Sequence, residues 1–142
     1  MFRFQLVALS GSKFNEDVYE VVLPTLDGQI GVFKDHMPLF SVATNGVIAV
    51  RRNPKDADSL REFFATNGGV IEVSANTLRV LVDEADHADE INEAEATAAM
   101  ERAKQLKAEA KDQISLEHAQ TIIDRHAVRL QVAGLRRRHQ RK

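Results

Sequence analysis

An all-β sandwich or barrel followed by an antiparallel two-helix hairpin is the architecture this sequence predicts, and three observations predict it. All three prolines and six of the seven glycines fall before residue 70, at short intervals. Turn signals spaced in this way mark a sandwich or barrel of short strands. From residue 91 onward alanine is frequent, apolar residues recur every three or four positions, and the one glycine is Gly134. That is helical periodicity in a helix-forming composition. Between the two regions lies an acidic run, residues 83–95, with no Lys or Arg. The expected division is a sandwich over 1–84, an acidic linker over 85–90, and a hairpin with a basic tail over 91–142.

The strands follow from the turns. Candidate strands are 3–9, 14–23, 29–33, 38–43, 46–52, 61–66, 69–73 and 77–82. The turns between them are Gly11-Ser12, Asp27-Gly28, Asn45-Gly46, Asn53-Pro54, Asn67-Gly68 and Ala75-Asn76, each rich in residues that tolerate or impose turn geometry. Residues 21–47 are the most turn-dense part. Val21, Val22 and Leu23 end a buried strand, and Pro24 withholds a ladder donor and so belongs at a strand end or edge. Gly31 marks a bulge or close backbone approach, and Lys34-Asp35-His36 a polar corner before Met37-Pro38-Leu39.

In the helical half, helix one is expected from Ile91 to Lys111, with Ala94, Ala98, Ala99, Ala103, Leu106 and Ala110 on its inner stripe. Ser115 is the expected N-cap of helix two, followed by Leu116, Ala119, Ile123, Ala127, Leu130 and Ala133. Facing alanines let backbones approach but bury little area, at about 25 cal/mol per Å². The hairpin is therefore expected to be weakly sealed and able to open. The acids of 83–95 are expected as a solvated linker gathered at a helix start, where the helix dipole favours negative charge. Residues 112–142 are basic, ending in Arg136-Arg137-Arg138 and beyond. They are expected to fray in solvent or to dock on an acidic protein surface.

Composition excludes several functions. Without cysteine there is no thiol chemistry, disulfide or thiolate metal site. A net charge of −2 argues against bulk nucleic-acid binding. The five histidines give no metal-ligand spacing, and no P-loop, nucleophile elbow or zinc-protease motif occurs. No acid–base pair stands beside a nucleophile, so no catalytic residue and no metal site are expected. Nothing approaches a membrane span.

These features resemble the epsilon subunit of bacterial and plastid F-type ATP synthases. Three blocks carry the resemblance: Val22-Leu23-Pro24 with Gly28, Gly31, His36, Pro38-Leu39 and Gly46-Val47; Phe64 to Val73 with Asn76 and Val80 to Asp83; and Ile91 to Ala103 with Arg129 to Ala133. It spans residues 2–133 and implies a non-catalytic rotor subunit that couples proton translocation through Fo to ATP synthesis. The implied partners are the gamma subunit and the c-ring for the sandwich, with Gly31, His36 and Pro38 among the contacts. The alpha/beta catalytic ring is the implied partner of the helices, which can extend toward it and inhibit ATP hydrolysis. Arg125, Arg129 and Arg136, Arg137, Arg138 would suit an acidic beta-subunit loop. Some bacterial members bind regulatory ATP through Ile/Leu-Asp-x-x-Arg-Ala plus further arginines. Here that motif reads Ile91-Asn92-Glu93-Ala94-Glu95-Ala96. Arg102, Arg125 and Arg129 match, but Asn92 and Glu95 depart. A carboxylate where a cation would face phosphate costs about 4 kcal/mol at 4 Å and an effective dielectric of 20. No cofactor is therefore expected. The missing transit peptide points to a bacterial source and to the cytoplasmic face of the inner membrane, held there only through the complex. A nucleic-acid module using the basic tail is the alternative, and the acidic run argues against it. A small hydrolase would need a catalytic group the sequence lacks.

Overall fold

The computed structural model describes the backbone of residues 1–140 and the side chains through residue 137. Within that span ten strands precede two helices. They are β1 Phe2–Ala8, β2 Gly11–Val18, β3 Glu20–Thr25, β4 Gly28–Val32, β5 Leu39–Ala43, β6 Gly46–Arg51, β7 Glu62–Thr66, β8 Gly69–Ser74, β9 Thr77–Val82 and β10 Ala85–His87. Helices α1 Glu93–Glu109 and α2 Gln113–Gln140 follow. The strand path runs β10-β7-β6-β3-β5-β8-β9-β1-β2, with β4 on β3, and folds over at the single β3–β5 pair Thr25–Ala43. Only β1 and β9 run parallel among the described strands.

Alternation fixes which face is buried, because successive strand residues point to opposite sides. Phe4, Leu6, Val21, Leu23, Ile48, Val50, Phe64, Ile71, Leu78 and Val80 are fully buried between the layers. Phe14 ties β2 to β1 and β7, with its ring 5.4 Å from Phe4 and 6.0 Å from Phe64. The Ala75-Asn76 turn uses two positive-φ residues (50° and 60°), the signature of a type I′ hairpin.

Several expectations need correction. The single strand expected over 14–23 is two, broken at Tyr19, where buried positions switch from even (Phe14, Val18) to odd (Val21, Leu23). The first turn is Leu9-Ser10, and Gly11 already opens β2. Residues 85–90 are not a linker. Ala85–His87 pair with β7, and Ala88–Glu90 form one 3-10 turn. His87 caps that turn: its Nδ1 accepts the Asp89 amide at 3.1 Å, while Glu90 Oε1 accepts the His87 amide at 3.3 Å. Helix α1 starts after Asn92, whose side chain accepts the Glu95 amide at 3.1 Å. Asp112, not Ser115, caps α2: its carboxylate accepts the Ser115 amide at 2.7 Å, and this bond holds the carboxyl below its ordinary value.

The alanine stripe lies only partly where expected. Ala103, Ala119 and Ala133 are buried as expected and Ala96 joins them, whereas Ala94, Ala98, Leu106 and Ala127 are exposed. With alanine on several faces of α1, size alone does not choose the seam.

Candidate functional site

The outer face of β6 and β7 is apolar. Ala49 pairs with Phe63 and Val47 with Ala65 across the ladder, and Val22 of β3 lies beside Ala49. Runs such as Phe63-Phe64-Ala65 are apolar at successive positions because both faces of the strand are covered. What covers the outer face is α2. Val128, Val132 and Ala133, with Leu135 beside them, pack on Ala49, Phe63, Ala65, Ala88 and Ile91. Helix α2 therefore has two buried faces, one on α1 and one on the sheet, and the hairpin is docked.

A ladder of ion pairs runs beside this patch. Arg125 Nη2 donates to Glu84 Oε1 at 2.8 Å, and Arg129 Nη1 to Asp86 Oδ2 at 2.8 Å. Arg136 lies 3.3 Å from Asp89 and donates to the Ala88 carbonyl at 3.2 Å. Arg137 lies 3.1 Å from Glu93, and Lys13 of β2 lies 3.3 Å from Glu90. Asn45, in the β5–β6 turn, donates to the Asp124 carbonyl at 3.1 Å. The acids expected as a solvated linker are thus the counter-surface of the basic helix. The acidic surface that receives Arg136 and Arg137 belongs to the same chain.

The strength of these pairs varies with burial. Arg129 and Asp86 keep only 19% and 25% of their side-chain exposure, so their attraction is less screened than at the surface. Arg125–Glu84 and Arg137–Glu93 are more open and contribute less.

The sequence-predicted arginines do meet. Arg102 of α1 and Arg125 and Arg129 of α2 line one groove of about 440 Å³, with Glu95, Ala96, Ala98, Ala99 and His126. Its charge does not fit a triphosphate: Arg125 and Arg129 are already engaged by Glu84 and Asp86, and Glu95 adds a carboxylate to the wall. Asn92 serves as the α1 cap.

Gly31, His36 and Pro38 are not part of this site. Gly31 sits exposed on β4 opposite Val22, and Pro38 is exposed in the following loop. His36 Nδ1 donates to the Met37 carbonyl at 2.7 Å, which makes it a hydrogen-bonded corner. The Arg138 side chain lies outside the described residues. Sequence reasoning missed Glu84, Asp86, Asp89, Val128 and Val132 as the docking groups; the doubly apolar β6 and β7 runs were the available signal.

A second apolar surface lies on the other layer. Ladder pairing aligns Val42, Val70, Leu81 and Val7 across β5, β8, β9 and β1. Val42 is 50% and Leu81 46% exposed, with Phe40 beside them at 74%. Among the described residues no cluster of His, Asp or Glu could hold a metal ion, and no helix is long and apolar enough to cross a membrane.

The β-sandwich domain model of the ATP synthase delta/epsilon chain matches residues 1–88. The ATP synthase epsilon chain of Gloeobacter violaceus is 34% identical over 132 residues, covering 93% of this chain and 96% of the relative. The chloroplastic epsilon chain of Oltmannsiellopsis viridis is 38% identical over 120 residues, covering 84% and 88%. A chain in the Euglena gracilis mitochondrial ATP synthase structure (OSCP, F1 and c-ring) superposes with a TM-score of 0.76 at 18% identity, over 92% of this chain and 79% of that one. A chain from the Tetrahymena thermophila central stalk and c-ring gives 0.57 at 13% identity, over 90% and 95%. These two likenesses are of fold.

Proposed function

Because the chain belongs to the epsilon-chain family of ATP synthases, we propose that it divides its work: the sandwich grips the rotor and the docked hairpin is a movable brake on ATP hydrolysis. Family membership makes it a non-catalytic central-stalk subunit of the F1 sector of a rotary ATP synthase. It serves the coupling of proton translocation to ATP synthesis without carrying the chemistry itself.

The observation that carries the brake reading is the construction of the seam. The hairpin rests on a cluster that shares no residue with the sandwich core. Beside it lie ion pairs that are half-buried or exposed. A contact of that size can break without unfolding the sandwich, and a two-state element needs states only a few kcal/mol apart. Once free, Arg125, Arg129, Arg136 and Arg137 leave their own carboxylates and are available to acids on the alpha/beta ring.

The row Val42, Val70, Leu81 and Val7 with Phe40 supports docking on the gamma subunit, since apolar patches of this kind mark interaction surfaces. The loop bearing His36 and Pro38, next to exposed Met37, is the surface we assign to the c-ring. The complex would hold the chain at the cytoplasmic face of the membrane. Leu81→Glu is expected to leave thermal stability nearly unchanged, because Leu81 is half-exposed. It should weaken co-elution with cognate gamma or F1 by about tenfold, the equivalent of 1.4 kcal/mol. Undiminished co-elution would remove this face as the dock.

The groove of Arg102, Arg125 and Arg129 is, on this reading, part of the clasp and not a nucleotide site. At about 1 mM ATP the melting temperature should therefore move by less than about 1 °C, whereas a ligand at a hundred times its Kd adds about 2.7 kcal/mol. A rise of several degrees would restore the nucleotide reading.

A further inference from the structure

The seam between α1 and α2 contains one group that its alanines do not explain. His126 lies on the α2 face that borders the Arg102 groove, and its Nδ1 is shielded from solvent with no hydrogen-bond partner among the described residues. Its neighbours are mainly cations. Arg125 and Arg129 flank it on its own helix, and Arg102 approaches from α1, where Glu95 stands on the same groove wall. Glu84 comes from the segment before β10 and is already bonded to Arg125. A neutral imidazole fits here. An imidazolium would place a further positive charge, poorly hydrated, among guanidiniums.

We infer that the α1–α2 joint is pH-gated: His126 closes it while neutral, and uptake of a proton at the imidazole opens the hairpin. This rests on the movable-hairpin reading and names what moves it. Burial first, then the charges of Arg125 and Arg129, hold the His126 imidazole below its ordinary value, against a smaller opposing pull from Glu84. The sign follows from linkage. The open state, with His126 in water, binds the proton more readily than the closed one. Closure is therefore fully favoured above the ordinary histidine range and is lost as pH falls through the closed-state value. Acidification of the compartment around F1 would then release the helices when the proton gradient is failing, which is when a brake on hydrolysis is useful.

The test uses the full chain, which has no cysteine. Thr97→Cys on α1 and Lys55→Cys on the β6–β7 loop, both exposed, carry a pair of spin labels. Distance distributions are recorded from about pH 8 to about pH 5.5, the range in which histidine titrates. The expected result is a several-fold rise in the long-distance population on acidification, abolished in His126→Gln. Imidazole NMR of the unlabelled chain should place His126 below the ordinary histidine value. A His126→Gln chain that opens with pH like the parent, or a His126 that titrates at or above the ordinary histidine value, would overturn the proposal. If the long distance appears at every pH to the same extent, the hairpin moves but His126 does not gate it. If it appears at none, the movable-hairpin reading falls with it.

Discussion

Val132→Asp is expected to lift the hairpin off the sandwich while the sandwich stays folded. Val132 is fully buried between α2 and the outer face of β6 and β7. Losing its apolar burial removes about 1.5–3 kcal/mol, and an unpaired carboxylate in the same place costs more again. The system avoids that cost by undocking, because the core between the sandwich layers contains none of the docking residues. Hydrogen exchange should show the separation. Amides of α2 lose protection by about a hundredfold or more, the equivalent of about 3 kcal/mol. Amides of β1, β8 and β9 keep theirs. Loss of protection across all strands would mean that helix and sandwich are one cooperative unit.

Arg129→Glu is the second large effect. It sets a carboxylate against Asp86 where a guanidinium stood at 2.8 Å, with Glu95 and Glu84 nearby. Breaking a buried pair costs about 3–5 kcal/mol. The residual exposure of both partners discounts this to about 2–3 kcal/mol. The reciprocal pair, Asp86→Arg with Arg129→Glu, should recover more than half of that loss. Stability to urea, measured across all four chains, gives the coupling energy directly. A cycle that closes with no coupling would show that the pair is decorative and that Val128 and Val132 hold the helix alone.

The sandwich was legible because β-branched runs and turn dipeptides are local signals. The slip at Tyr19 was visible too, in the even-to-odd switch between Val18 and Val21, but the run Val18-Tyr19-Glu20-Val21 holds no Gly or Pro and so reads as one long strand. The capping of α2 turned on a close contest. Asp and Ser are near-equal caps, and Asp112 took the role by lying three residues ahead of Ser115. The seam was harder. Alanines at 94, 96, 98, 99 and 103 give α1 several nearly equivalent faces, and only the fold selects Ala96 and Ala103. Least legible was the acidic run. Nothing near Glu84, Asp86 or Asp89 says whether they meet water or cations. Their partners stand more than forty residues downstream on α2, and sequence distance hides such a pairing. The converse held for Arg102, Arg125 and Arg129. Resemblance brought them to one groove, and the structure then supplied the carboxylates that occupy two of them.

The brake reading is tested most directly by ATP hydrolysis of cognate F1 depleted of this subunit, reconstituted in parallel with the parent chain and with Val132→Asp. Both chains should co-elute with F1, since Val132 is remote from the Leu81 face. The chain with the released hairpin should slow hydrolysis more than the parent does. Equal binding with hydrolysis no slower under Val132→Asp would contradict the proposal that the docked hairpin is a brake held in reserve.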